Sequence, residues 1–345
     1  MSAKLPTIKE IAKRLNVSVS TVSRALHDHP SIGLRTKTRV QQLAKELNYE
    51  PNQTAIFFQK GKTFTIGVIL PDLSEAFFSC AINGIEDTAS KNNYTVLLAQ
   101  SHDDGEKEKK IVETMKNHRV DGLLVSISKN TSSYEHFEML KKYDIPVVFF
   151  DRIPKIPNIH YVACDMKTGT KEAVDFLLKK GHRIIGMING PETLLASQER
   201  LEGYLQALKK NRLKFDPSLI VSSTLTCEST RDAIKQLLSL KRKPTAIVIF
   251  NDYIALDAIR YAKEAQLKIN EDICFVSYAN FPLIHYMEYS PLASVEQYPY
   301  EQGQKATETL LKIISGDQPQ NENGTPFYKL VLKSQLVIHE KNSSR

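Results

Sequence analysis

The chain has 345 residues, roughly two domains' worth, and its 41% apolar and 25% charged composition excludes a stapled mini-fold, a fibre and a disordered chain. Its apolar runs, such as 66–70 and 246–250, fall far short of the roughly 18 residues that span a bilayer; the polar first ten residues offer no cleavable leader, and Cys80, Cys164, Cys227 and Cys274 lie too far apart for a C-x-x-C site, so the expectation is a cytoplasmic protein with buried thiols, no membrane partner, no metal and no cofactor. The formal charge of +7 is concentrated in residues 1–62, which hold eleven basic and four acidic side chains and leave 35 of each in the remaining 283, the footprint of a chain that grips a polyanion with one end.

In that basic head, Thr7-Ile8-Lys9-Glu10 forms a capping-box pattern, and Ile8, Ile11, Ala12 and Leu15 recur at helical spacing, predicting a helix over 8–15. Asn16 can close it in a left-handed conformation, and Ser18 can cap a second helix to Leu26 whose inward face is Val22, Ala25 and Leu26. A third helix is expected from Leu34 to Leu47 on the stripe Val40, Leu43, Ala44 and Leu47. Two helices joined by about three residues make a helix-turn-helix whose second helix can enter a major groove, although such triplets also occur in ordinary bundles. Val19 stands out: a β-branched apolar residue at an exposed helix start has no packing motive and suits a thymine methyl.

The run Thr7–Ala12, then Val17-Ser18-Val19-Ser20-Thr21-Val22-Ser23-Arg24, then Leu47-Asn48-Tyr49-Glu50-Pro51-Asn52, resembles the DNA-binding segment of the lactose/galactose-repressor (LacI/GalR-type) family of bacterial transcription regulators. The resemblance implies that Val19 and Ser20 face base edges at the start of a recognition helix, with Arg24 one turn on and His27 near its end. Thr21, Ser23 and the flanking amides would hold phosphates, and Thr7 and Ser18 complete the DNA-contacting set. Residues 51–62 would be a hinge that becomes helical on operator DNA, with Asn52 and Ala55 in contact and Phe58 at the minor-groove wedge, where the family usually places Leu. The alternative is that Ile56, Phe57 and Phe58 pack on the body as an apolar linker.

From Phe64 onward β-rich and helical runs alternate. Strands are predicted at Thr65–Leu70, Tyr94–Ala99, Gly122–Ile127 and Pro146–Phe150, with helices near Phe77–Lys91, Glu106–Asn117 and Tyr134–Lys142 between them. The rhythm repeats with strands at Ile184–Ile188, Leu219–Ser222, Ala246–Phe250 and Cys274–Tyr278 and helices near Thr168–Lys180, Gln198–Lys210, Ser229–Leu240 and Tyr253–Ala265. A helix at Tyr300–Ile314 and strands within Tyr328–Ile338 remain to be distributed. The expected fold is an all-α helix-turn-helix head plus an α/β body of two doubly wound parallel-sheet lobes with a cleft between them, like the periplasmic-binding-protein-like core of the same family. The expected domains are 1–50, the hinge 51–62 and the core 63–345, with lobe one near 63–163 and 292–322 and lobe two near 164–291 and 323–340.

No G-x-G-x-x-G, G-x-S-x-G or H-E-x-x-H occurs, and Gly61-Lys62-Thr63 lacks the upstream glycine of a phosphate loop, so no catalysis is expected. Candidate effector-binding residues follow strands: Phe77, Phe78, Asp151, Arg152, Asn251, Asn280 and Phe281, together with Arg200 behind Asn189-Gly190-Pro191. Planar polar groups beside aromatic faces suit a sugar-like ligand, and the resemblance uses Asp151, Arg200 and Asn251 that way. The bland alternatives are that Asp252 caps the helix from Tyr253, Arg152 bridges the lobes and Phe78 is core. One departure matters: the family's Gly-Phe/Tyr-Asp-Asp run reads Ser277-Tyr278-Ala279-Asn280, removing a carboxylate and admitting a sugar acid or sugar phosphate beside a neutral sugar.

These features predict a homodimeric repressor of double-stranded operator DNA controlled by a small-molecule effector: sugar, sugar acid or sugar phosphate. A solute-binding protein would share the body but would carry a secretion signal, and a cleft enzyme would turn over its bound sugar.

Overall fold

The computed structural model describes residues 6–50, 61–317 and 326–339. The chain divides into two compact units at Thr63 and Phe64.

The first unit is a three-helix head, α1 (Ile8–Leu15), α2 (Val19–Leu26) and α3 (Leu34–Glu46). The Thr7 hydroxyl accepts from the Glu10 amide (3.3 Å), and Asn16, at φ 51°, ends α1 in the left-handed conformation. Ser18 then caps α2 by accepting from the Thr21 amide (3.0 Å). The core is small: Ile11, Val22, Ala25 and Val40 are fully buried, with Ala12 and Ala44 beside them.

The second unit holds two six-stranded sheets. Sheet one is ordered β11-β5-β4-β3-β1-β2 and is parallel throughout, from β1 (Thr65–Leu70), β2 (Thr95–Gln100), β3 (Gly122–Val125), β4 (Val147–Phe150), β5 (His160–Cys164) and β11 (Lys329–Leu332). Sheet two is ordered β12-β10-β9-β8-β6-β7, from β6 (Ile185–Asn189), β7 (Ile220–Ser222), β8 (Ala246–Ile249), β9 (Cys274–Tyr278), β10 (Ala293–Glu296) and β12 (Gln335–Ile338); only β12 runs antiparallel. Near-continuous apolar strands such as β1, β8 and β9 are what a parallel sheet covered on both faces requires.

Helices α4 (Ala76–Lys91), α5 (Gly105–Asn117) and the short α6 (Glu135–Glu138) belong to the first lobe. The second carries α7 (Met166–Lys179), α8 (Leu195–Lys210), α9 (Cys227–Ser239) and α10 (Asp252–Glu264). The last helix, α11 (Pro299–Ile314), packs along α4, and the contact is tight because Gly84 and Gly303 face the opposing backbone: a Cβ at either would collide with the carbonyl of Tyr300 or Ala81.

Three features differ from the sequence reading. The expected split of the carboxy-terminal segments, 292–322 to lobe one and 323–340 to lobe two, is corrected: β10 belongs to sheet two and α11 to lobe one, while β11 joins sheet one and β12 sheet two. The physical reason is exchange of the chain between lobes at three places, after β5, after β10 and between β11 and β12, with β11 and β12 each taking a free sheet edge. The helix expected over 134–142 is α6 followed by a 3-10 turn, Met139–Tyr143. After β9 the chain forms another 3-10 turn, Pro282–Tyr286, with Phe281 and Ile284 buried in the lobe-one cluster.

Candidate functional site

In the head, α2 turns Val22 and Ala25 inward, so Val19, Ser20 and Arg24 face outward; Val19 is 42% exposed. The Ser18 hydroxyl lies 2.7 Å from that of Ser20 and 2.8 Å from that of Thr21, forming a polar cluster at the helix start. Thr21 and Ser23 are half-buried. The exposed His27 caps the carboxyl end of α2, and its Nδ1 donates to the Ser23 carbonyl (2.8 Å). Lys9, Lys13, Arg24, Arg35, Arg39 and Lys45 are all exposed on this small unit, giving it a positive surface. Asn52, Ala55 and Phe58 lie outside the described residues.

In the second unit the carboxyl ends of both sheets' strands face one cleft. Three non-glycine residues at those ends adopt the left-handed region, Asp151 (φ 58°), Ala279 (φ 94°) and Asn280 (φ 53°), a strain that is held where structure overrides local preference. Arg200, on α8, is 3% exposed and lies over the rings of Phe250 (4.1 Å) and Tyr278 (4.3 Å). Its Nε and Nη1 are buried without a hydrogen-bond acceptor, and burial presses its pKa below the ordinary guanidinium value. An unmet buried donor costs about 1–3 kcal/mol, and more when charged. The aromatic faces offset part of that cost.

Arg152 is the opposite case. Its Nη1 donates to Asp103 (2.6 Å), its Nη2 to Glu75 (3.4 Å), and Asp151 lies 4.0 Å from Nε, so it stays within lobe one and does not bridge the lobes. Burial pushes the Asp151 carboxyl up, opposed by Arg152, by a hydrogen bond from Ser126 (3.2 Å) and by Arg200. Phe77 and Phe78 are both buried in the lobe-one core, edge to face at 5.3 Å.

Asn251, not Asp252, caps α10: its Oδ1 accepts from the Ile254 amide (3.0 Å). Asp252 is fully buried and accepts from the Ser277 hydroxyl, from Ser294 (2.7 Å) and from the Phe281 amide (2.8 Å). Burial, the largest influence, lifts its carboxyl to about 6. Asn280 donates to Glu296 (2.8 Å), and its own Oδ1 is buried without a partner. Phe281 is buried and leans on Tyr253 (4.9 Å). The candidates therefore separate: Arg200 and Asp151 act on one another through space at the cleft, whereas Phe77, Phe78, Arg152 and Phe281 are chiefly packed or paired.

Sequence reasoning missed Lys129, Cys164, Glu199 and Tyr278. Lys129 follows β3; its backbone amide and Nζ both address Asp103 (2.9 and 3.6 Å), and it spans the cleft mouth. There Nζ donates to the Thr224 carbonyl (3.4 Å), and the Thr193 hydroxyl donates to the Lys129 carbonyl (3.2 Å). Its position directly after a strand was the available signal. A cavity of about 390 Å³ adjoins Asp151, Cys164 and Glu199, with an otherwise largely apolar wall that includes Ile153, Ile156 and Leu195.

A basic helix-turn-helix head joined to a two-lobed, cleft-bearing α/β core defines a ligand-controlled DNA-binding transcription regulator, a binding protein rather than an enzyme. Residues 7–52 match the model of the bacterial regulatory proteins of the lacI family, and residues 63–331 match that of the periplasmic binding proteins and sugar binding domain of the LacI family; the chain belongs to the LacI family. It is 33% identical over 312 residues to the HTH-type transcriptional repressor CytR of Escherichia coli strain K12, covering 90% of each chain. It is equally 33% identical over 310 residues to catabolite control protein A of Priestia megaterium, covering 90% of this chain and 92% of that one. Among solved structures, the Lac repressor bound to ONPG in the repressed state matches with a TM-score of 0.79 at 25% identity, covering 97% of this chain and 98% of that one. No helix among the described residues is long and apolar enough to cross a membrane.

Proposed function

We propose that the chain is a cytoplasmic, homodimeric repressor whose paired heads read a roughly palindromic operator and whose affinity for it is set by a sugar-like or sugar-acid effector in the cleft. Val19 and Ser20 read base edges, with Arg24 one turn on and His27 near the helix end, Thr21 and Ser23 hold phosphates, and Thr7 and Ser18 complete the DNA-contacting set. Arg200, Asp151 and Asn251 hold the effector, with Asn280 at the rim. Closing of the lobes on the effector changes the spacing of the two heads. Dimer formation is supported by an exposed apolar patch beside the Pro282–Tyr286 turn: Tyr286 is 86% exposed, Leu283 51%, and Met287 and Tyr253 are also open.

The observation that carries this reading is the outward-facing Val19 beside Ser20 on a helix fixed by its Ser18 cap. The test is binding-site selection with the full chain and with Val19 and Ser20 exchanged for other residues, scored with titrations across salt concentration. A changed consensus and a steep fall of affinity with salt support it. An unchanged consensus removes these residues from the readout.

A further inference from the structure

Arg200 is built in at a cost that its described neighbours offset only in part. The guanidinium is 3% exposed, two of its nitrogens lack an acceptor, and it makes no ion pair with a described residue, although Arg152 in the same cleft is paired three times. Its nearest large neighbours are the faces of Phe250 and Tyr278, which stabilise a cation but accept no N–H in its plane. Of the groups that act on it electrostatically, Tyr278, Asp151, Glu199 and Cys164, the last three also line the 390 Å³ cavity, so that cavity lies close to the guanidinium. Where the resemblance leads one to expect a carboxylate after β9, the chain has Ala279.

Resting on the reading of the cleft as the effector site, we propose that the effector carries a carboxylate, which Arg200 binds through its free N–H groups while the remainder of the ligand fills the neighbouring cavity. A carboxylate is planar and accepts charge-assisted N–H bonds from a guanidinium. One negative charge matches one free cation. A dianionic phosphate would in addition face Asp151, Asp165 and Glu199 on the wall, against Lys155 alone. Burial pushes the Asp151 and Glu199 carboxyls up, opposed in both by Arg200.

The test is a thermal-shift and calorimetric comparison of matched pairs on the full chain: glucuronate against glucose, galacturonate against galactose, gluconate against glucitol, with glucose 6-phosphate as the phosphate arm. At least one acid should raise the Tm and bind about tenfold or more tightly than its neutral partner. Arg200→Met should abolish that binding while the ligand-free variant melts at or above the wild-type temperature, since an unmet buried charge has been removed. Arg200→Lys should retain a weakened preference for the acid, and guards against a misfolded methionine variant. A neutral sugar binding as well as its acid, with a change in operator affinity, overturns the carboxylate and leaves the effector reading standing. Tighter binding of the phosphate overturns the carboxylate in favour of another anion. Loss of ligand-free stability in both variants makes Arg200 a structural residue, and no response to any acid refutes the proposal.

Discussion

The Asp252→Asn variant should be more stable than the wild type at pH 8, and the difference should shrink as the pH falls to 4.5. Asp252 sits fully buried at the start of α10, and its carboxyl is lifted from 3.8 to about 6, mainly by burial. A lift of that size corresponds to about 3 kcal/mol of penalty on the charged form. The sign follows from the direction: with the folded value above the unfolded one, the folded state is favoured below pH 3.8 and loses that advantage as the pH rises toward about 6. Asparagine removes the titration and can still satisfy the site, with its oxygen toward the Phe281 amide and its nitrogen donating to the Ser277 and Ser294 hydroxyls, which now accept. His339, whose Nε2 lies 3.0 Å from the Ser294 hydroxyl, is pressed from 6.5 to about 4 by burial and by His285, so it works in the opposite direction over much of the same pH range. The wild-type curve alone therefore conceals both, and the variant difference isolates Asp252. Urea denaturation of both proteins from pH 4.5 to 8 measures it. A difference that stays constant across that range would show that Asp252 does not titrate there, and the argument would be refuted.

Ser18→Ala removes the α2 cap and should cost the head about 1 kcal/mol, seen as faster hydrogen exchange of the α2 amides in the full chain and weaker operator binding. Combining Lys129→Met with Thr193→Val deletes the two hydrogen bonds across the cleft mouth, each worth about 1 kcal/mol, so fluorescence energy transfer between dyes on the two lobes should report a several-fold larger open population; an unchanged distribution would deny Lys129 this role. Tyr286→Asp places a charge on the exposed apolar patch and should shift sedimentation from dimer to monomer, with operator affinity falling in step; a dimer that persists puts the interface elsewhere.

The head was legible almost residue by residue because its information is local: a Thr cap, an Asn stop, a Ser cap and an apolar stripe each act within one helical turn. The alternation of strand and helix was legible for the same reason. What could not be read was pairing between distant segments. β5 and β10 are only four or five residues long, and nothing near Lys329 or Gln335 says that one joins the first sheet and the other the second. In the cleft, Arg200 was found from its place behind a strand and a turn, but its lack of an acceptor is a property of three-dimensional neighbours. Capping of α10 falls to Asn251 and not to Asp252, which sequence alone does not decide because either can cap a helix; only the Ser277, Ser294 and Phe281 partners show that Asp252 is engaged elsewhere. Lys129 escaped notice because a lysine after a strand usually points into water.

The last two strands bear on how the protein is made. β11 completes one edge of the first sheet and β12, two residues later, one edge of the second, so a ribosome must deliver residue 332 before the first sheet, and residue 338 before the second, has its full complement of strands. Until then both lobes expose an unpaired strand edge, β5 in one and β10 in the other, of the kind that recruits foreign strands. Such long-range closure is slow compared with helix formation. A chain stalled or clipped before Lys329 would therefore be a hazard in two places at once, while its head, complete by residue 50, could already have folded.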